Sequence, residues 1–170
     1  MQETPQEYTK RMLGQTEGRE ALKILASTSN KLDRLVKGMP ATKLRKRPAP
    51  GKWSVVEILA HLADCEIARG WRMRQILSAP GTALQAFDQD AWAASSHYEK
   101  RDPRKSLALF HALREADLAL LKTLSPEQCK CHGMHAERGA ESIEHICRMH
   151  AGHDLNHLAQ IERIVGKKRK

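Results

Sequence analysis

Two histidines near the C-terminal end, His153 and His157, stand four residues apart in the run HDLNH. On a helix such residues share a face, so both imidazoles could bind one metal ion, although an H-x-x-x-H pair is more often solvent-facing or hydrogen-bonded. A third histidine, His61, favours the metal interpretation because it lies within an apolar segment that should face a core. Three neutral imidazoles would leave metal positions open for water or a substrate, which is the arrangement of a catalytic site.

Three other polar residues could orient these histidines. Glu57, four residues before His61, could accept its second ring proton, or it could only cap a helix. His150 stands three residues before the histidine pair and Gln160 stands three residues after it. Each of the two could support a metal ligand or be a hydrogen-bonded core residue.

The cysteines and neighbouring acids are weaker candidates. Cys65 is four residues after His61 and could be a thiolate ligand, but a packing role is favoured. Solvation or ion pairing is expected for Asp64 and Glu66. A possible C-x-C-H-x-x-H zinc clip comprises Cys129, Cys131, His132 and His135. Its spacing is not a standard zinc-finger pattern, so a loop with incidental thiols is favoured and the role of these four residues stays open.

Other catalytic motifs are missing from the sequence. There is no HExxH protease motif, no GxGxxG dinucleotide motif and no GxSxG nucleophile motif. The run APGKWS resembles a phosphate-binding loop only superficially, because Trp53 interrupts the Gly-Lys-Ser order. A metal site is therefore the one specific chemical hypothesis.

The net charge of +9 comes from two clusters that contain no acid. They are Lys43, Arg45, Lys46, Arg47 and Lys52 in one loop, and the basic tail Lys167 to Lys170. Removing these nine from the 29 basic residues leaves 20, which equals the number of acidic residues. Because three Trp, two Tyr and two Phe also provide little for base stacking, we expect no nucleic-acid partner.

Hydrophobic periodicity predicts four long helices and no strand. The predicted helices cover Glu17 to Lys37, Ser54 to about Leu77, Pro103 to about Thr123, and Ser142 to Val165. Ser54 with Glu57 forms a capping box, and Gly166 is placed to end the last helix. Shorter helical segments are possible at Gln6 to Leu13 and at Asp90 to His97.

These elements predict an all-α four-helix bundle, with a long connection at residues 79–102 between the second and third helices. A length of 170 residues fits one domain over residues 1–170. No apolar run reaches the roughly 18 residues of a spanning helix, and the N-terminus is unlike a signal peptide. We therefore expect a cytoplasmic protein with reduced cysteines and no membrane association.

Two runs of sequence resemble the DinB-like (DinB/YfiT) family of metalloenzymes. They are GKWSVVEILAHLADCE, from Gly51 to Glu66, and HDLNHLAQIER, from His153 to Arg163. An opening similar to Tyr8 to Leu13 and the run ERG at Glu137 to Gly139 extend the resemblance over nearly the whole chain. The order and spacing of these motifs together make it specific.

The resemblance implies a four-helix bundle, often dimeric, in which three histidines bind a divalent metal such as zinc or nickel. Carried over residue by residue, the ligands would be His61, His153 and His157. Some family members are S-transferases or isomerases that use bacillithiol or mycothiol, and others are described as metal-dependent hydrolases. A low-molecular-weight thiol is therefore a second possible cofactor.

The sequence thus favours a metal-dependent enzyme that activates a thiol or water for a small-molecule substrate, as an S-transferase or hydrolase. The alternative is a non-catalytic helical bundle whose histidines are buried hydrogen-bonding groups. Such a protein would act in dimerisation, or in nucleic-acid association through its basic loop and tail.

Overall fold

A computed structural model describes residues 3–166, and four of its helices form a bundle. In chain order the helices are α1 (Pro5–Gly14), α2 (Ala21–Val36), α3 (Ala41–Arg45), α4 (Val55–Ser78), α5 (Gln89–Ser95), α6 (Pro103–Leu121), α7 (Pro126–Lys130) and α8 (Ile143–Val165). The long helices α2, α8, α4 and α6 each pack against two of the others, in that cyclic order. The predicted four-helix bundle is confirmed. Within the described residues, no helix combines the length and apolar character needed to cross a bilayer.

The ends of α4 and α8 follow from local sequence. Ser54 accepts a hydrogen bond from the Glu57 amide, and the Glu57 carboxylate accepts one from the Ser54 amide, as the predicted capping box requires. Ser142 caps α8 by accepting from the His145 amide. Gly166 ends α8 with a φ of 71°, a left-handed conformation that favours glycine. The basic tail that follows lies outside the described residues.

A small sheet corrects the prediction that the chain has no strand. Its strands are β1 (Ala83–Leu84), β2 (His132–His135) and β3 (Gly139–Ser142), in the order β1-β2-β3. β1 pairs parallel to β2, and β2 pairs antiparallel to β3. The strands are too short to show an alternating pattern, and β1 and β2 are far apart in sequence, so periodicity could not reveal them.

The long connection between α4 and α6 is ordered. It contains β1, helix α5 and a 3-10 turn at Tyr98–Lys100. The helical turn expected at Asp90 to His97 is thus present as α5, from Gln89 to Ser95. The Tyr98 ring is buried, and its hydroxyl donates to the Asp64 carboxylate at 2.8 Å, which ties the connection to α4.

A buried layer of charge separates two apolar clusters along the bundle. One cluster includes Ile58, Leu62, Phe110, Leu158 and Ile161, and the other includes Leu25, Met73, Ile76, Ile146 and Leu155. Between them lie Glu66 and Arg69 of α4, Arg114 and Asp117 of α6, and Asp154 of α8, all buried. The charge layer therefore joins α4, α6 and α8, and Arg114 also donates to the Leu25 carbonyl of α2 at 2.9 Å.

Candidate metal centre

The three histidines singled out by spacing meet inside the bundle. His61 comes from α4, and His153 and His157 come from successive turns of α8. The Nε2 atom of His153 lies 2.9 Å from Nε2 of His61 and 3.1 Å from Nε2 of His157. All three rings are buried.

Hydrogen bonding between the rings cannot satisfy this arrangement. Nδ1 of His157 donates to the Gln160 side-chain oxygen at 2.9 Å, so its Nε2 presents a lone pair to the cluster. Nε2 of His153 can carry only one proton and faces two neighbouring nitrogens. Its Nδ1 is also buried, with no partner among the described residues. A divalent cation, which accepts imidazole lone pairs, fits this donor set.

Burial also prepares the rings to act as ligands. It lowers the pKa of His61 and His153 well below the usual value, and it lowers the pKa of His157 to about 4. The proximity of the rings to one another lowers the pKa of His61 and His153 further. The imidazoles are therefore neutral near pH 7, which is the state that binds a metal.

Cys65 lies beside the histidines. The ligand atoms of His61, Cys65 and His153 all lie within 4.8 Å of one another, and Sγ is 3.5 Å from Nε2 of His61. Burial, and then the negative charge of Glu66 and other nearby acids, raises the pKa of the Cys65 thiol. Without a cation, Cys65 is consequently a neutral thiol.

The predicted supporting residues have different surroundings. Gln160 contacts His157, as described above. Glu57 lies at the start of α4, bonded to Ser54 and to the Arg47 guanidinium, and none of its hydrogen bonds reaches His61. The centroid of the His150 ring is 6.0 Å from that of the His153 ring. The buried Nδ1 of His150 has no hydrogen-bond partner in the part of the chain that the structure describes.

Several neighbouring residues were not recognised as part of the site from sequence. The Trp53 ring lies against His61, with centroids 4.9 Å apart. Asp64 accepts from Tyr98 and from Arg101, which confirms the expected ion pairing. These contacts come from loop residues that have no regular helical spacing from the histidines, so the sequence did not reveal them.

The possible zinc clip at Cys129, Cys131, His132 and His135 does not form a metal-binding group within the described residues. Over residues 3–166, the potential ligand atoms that lie close together are those of His61, Cys65 and His153. Cys129 and Cys131 lie in and just after α7, and His132 begins β2, whereas His135 at the end of β2 is buried. His135 instead lines a cavity that reaches the metal centre.

This cavity has a volume of about 350 Å³. Its lining includes His61, Cys65 and Arg72 on α4, and Ile146, His150 and His153 on α8. The other walls come from the start of α1, the segment before α5 and the β2–β3 hairpin. The candidate metal centre is therefore open to a small molecule at one side.

Comparison with known families settles the relationship of this chain to other proteins. The model of the DinB superfamily matches residues 24–161, which include all four long helices in whole or in large part. The chain belongs to the DinB superfamily.

Relatives within the DinB superfamily agree with this assignment. YfiT of Bacillus subtilis, provisionally named a metal-dependent hydrolase, is 27% identical over 144 residues, covering 84% of this chain and 81% of YfiT. A relative from Oceanobacillus iheyensis with the same provisional description is 29% identical over 119 residues, covering 69% and 68% of the two chains. The solved structure of YfiT, described as an unusual four-helix bundle, matches with a TM-score of 0.79, 26% identity and 87% coverage of each chain.

The buried neutral histidines predict a pH dependence of stability. Because burial lowers the pKa of His61, His150, His153 and His157, the unfolded chain binds more protons than the folded chain below about pH 6.5. The free energy of unfolding should therefore be highest above that pH and should fall as the pH decreases towards 4. Each excess proton contributes a slope of about 1.4 kcal/mol per pH unit.

Urea unfolding in the presence of a chelator, at pH 7.5, 6.5 and 5.5, measures this dependence without a contribution from metal release. His150→Leu should flatten the profile, whereas His97→Gln, at an exposed position, should leave it unchanged. A stability independent of pH between 7.5 and 5.5 would contradict the prediction.

Proposed function

We propose that this protein is a metal-dependent hydrolase in which His61, His153 and His157 hold one divalent ion. The observation that carries the proposal is the approach of Nε2 of His153 to Nε2 of both other histidines, at 2.9 and 3.1 Å. Zinc and nickel are the proposed ions, because neutral imidazoles suit late first-row metals. The proposal includes a homodimer, as the family resemblance implies, and a cytoplasmic protein that acts on a small molecule.

The choice of His157 over Cys65 as third ligand rests on the chemistry of the two groups. His157 is neutral near pH 7, and the Gln160 side-chain oxygen accepts a hydrogen bond from its Nδ1–H, so the other nitrogen already presents its lone pair. The Cys65 thiol would first have to lose a proton among the carboxylates of Glu66 and Asp64, which raise its pKa. Three imidazoles require no such proton release.

A divalent ion at this centre would supply an acidified water molecule and would polarise an oxygen of the substrate. The residues of the chain provide the remaining requirements. Gln160 holds the orientation of His157, and Trp53 covers one side of His61. Ala68 and Met149 contribute apolar surface to the cavity, where a substrate can be held beside the histidines.

The size of the cavity favours thiol transfer as a second candidate. A volume of about 350 Å³ is far larger than a water molecule needs, so a low-molecular-weight thiol could enter beside the substrate. YfiT and its relatives are provisionally described as hydrolases, which supports water over a thiol as the proposed nucleophile.

Metal analysis tests the proposal directly. Untagged protein purified without chelator should contain about one zinc or nickel ion per chain. His153→Ala and His157→Ala should each lose the ion, because removal of one of three ligands eliminates a large part of the binding energy. Cys65→Ser, which keeps the volume of the side chain, should retain it. Circular dichroism establishes that each variant is folded.

Cobalt substitution and activity assays provide independent readouts. The cobalt-loaded protein should lack the near-ultraviolet charge-transfer band of a thiolate ligand. Hydrolysis of p-nitrophenyl acetate should fall on chelation and return when the metal is restored, and parallel reactions with added cysteine test thiol transfer. Retention of the ion by His157→Ala together with its loss from Cys65→Ser would overturn the proposed ligands. A wild-type protein that binds no divalent ion would overturn the function.

A further inference from the structure

The end of the cavity opposite the histidine cluster contains a buried cation. Arg72 lies on the same face of α4 as His61, eleven residues further along the helix. At 1.5 Å per residue, their Cα atoms are separated by about 16 Å. Arg72 is only 7% exposed, yet it lines the cavity.

Arg72 has no acidic partner in the part of the chain that the structure describes. Its Nη2 donates to the Gln85 carbonyl at 2.6 Å, and its guanidinium lies over the Phe87 ring at 5.7 Å. Over residues 3–166, no carboxylate lies within ion-pair distance of it, whereas the buried Arg69 and Arg114 each pair with two acids. A buried charge without a counter-ion is strongly unfavourable, so this cation requires an explanation beyond stability.

A second donor faces Arg72. His135 accepts a hydrogen bond at Nδ1 from the Glu137 amide, at 3.2 Å, so its ring proton resides on Nε2. That Nε2 lies 3.4 Å from Nη2 of Arg72. Burial, and then the charge of Arg138, lowers the pKa of His135, so the ring stays neutral with a single proton. Two N–H groups therefore converge where the described residues provide no acceptor for both.

The acids near this end of the cavity do not fill that place. Glu141 is bound by the Arg138 guanidinium through both carboxylate oxygens, and Glu3 is bound by Arg11. Glu137 is exposed to solvent. An anion from outside the chain would satisfy Arg72 and His135 together. Because Glu137 and Glu141 are nearby, a monoanion fits better than a doubly charged phosphate.

We propose that Arg72 and His135 bind a carboxylate of the substrate. This inference deepens the proposed function and rests on it for the position of the reacting group. The substrate would be an elongated monocarboxylic acid, with its carboxylate at the Arg72 end and its reacting bond beside His61 and His153. Ala68, Phe87 and Met149 also line the cavity and fit an apolar segment.

Hexanoate is a suitable probe, with hexanamide as its neutral counterpart. Titrations of the full-length protein followed by NMR chemical shifts should give a dissociation constant at least tenfold lower for hexanoate than for hexanamide. Arg72→Met should weaken hexanoate binding at least tenfold. Arg148→Met removes the same charge from an exposed position of α8 and should leave binding unchanged.

His135→Asn provides a second variant in case Arg72→Met is poorly folded. The Asn oxygen can replace Nδ1 as acceptor of the Glu137 amide, but the donor that faces the carboxylate is lost, so hexanoate binding should weaken several-fold. A structural role for Arg72 would instead appear as lowered thermal stability with unchanged hexanoate binding, and that result would overturn the inference.

Each titration is repeated after chelator treatment, which separates this inference from the proposed function. Hexanoate binding that depends on Arg72 should persist in the treated protein, because the carboxylate subsite does not involve the metal. Binding that disappears on chelation and is insensitive to Arg72→Met would place the carboxylate at the metal and overturn the inference. A failure to bind metal, with Arg72-dependent hexanoate binding intact, would overturn only the hydrolase proposal.

Discussion

Replacing Arg114 with Met should lower the free energy of unfolding by about 3–5 kcal/mol, because the substitution leaves the buried Asp154 carboxylate without a counter-ion and leaves Glu66 with Arg69 alone. Arg114 donates to both oxygens of Glu66, at 2.7 and 2.8 Å, and to both oxygens of Asp154, at 2.6 and 3.1 Å. Burial opposes the charge of Arg114, but Asp154 and Glu66 raise its pKa above the usual value. The guanidinium thus joins α6 to both α4 and α8.

Urea unfolding at pH 7.5 measures this loss. Arg74→Met is a matched control, because Arg74 is half exposed and Asp117 keeps its bond to the buried Arg69, so the loss should be smaller than that of Arg114→Met. The double variant Arg114→Met with Asp154→Asn removes one positive and one negative charge, so it should recover more than half of the lost stability. An Arg114→Met protein as stable as the Arg74→Met control would show that the charge layer does not stabilise the bundle.

Replacing Gly152 with Ala should disrupt the packing of α1 against α8. A Cβ atom at position 152 would lie 2.0 Å from the backbone oxygen of Met12 and 2.7 Å from its carbonyl carbon. Those atoms belong to the backbone, so the whole of α1 would have to move. We expect a loss of about 3 kcal/mol, at the upper end of what overpacking produces. Gly152→Val should lose more.

Hydrogen exchange identifies the helix that moves. The amides of α1 should lose protection in Gly152→Ala, while those of α4 and α6 should keep most of theirs. Gly14→Ala is the control, because no atom lies within 4 Å of a Cβ at that position and Ala favours the helix. Its stability should be unchanged or slightly higher. If Gly152→Ala retains full protection in α1, the close contact with Met12 does not limit the packing.

Much of the helical framework could be predicted from sequence because its signals are local. The capping box at Ser54 and Glu57 and the terminal Gly166 placed the ends of α4 and α8 to within a residue or two. The predicted start of α2 was less accurate, since the helix begins at Ala21 and not at Glu17. Glu20, which precedes it, makes no side-chain capping hydrogen bond. Capping chemistry therefore explains where prediction succeeded.

The histidine cluster could be predicted from sequence for a similar reason. His153 and His157 are one helical turn apart, and His61 stands in an apolar stretch, so a bundle brings them together. Arg72 and His135 gave no comparable signal. An arginine in a helix is normally exposed, and β2 carries His135 into the cavity through pairing with β1 and β3, which lie elsewhere in the sequence.

The division of the cavity between two kinds of element has an evolutionary consequence. The histidines project from long helices fixed by Arg114, whereas His135 and the start of α1 belong to short segments that surround the opening. Substitutions in those short segments can change which molecules the cavity accepts while the proposed metal centre and the stability of the bundle are preserved. Under the proposed function, substrate preference can therefore change by small steps while the chain stays folded.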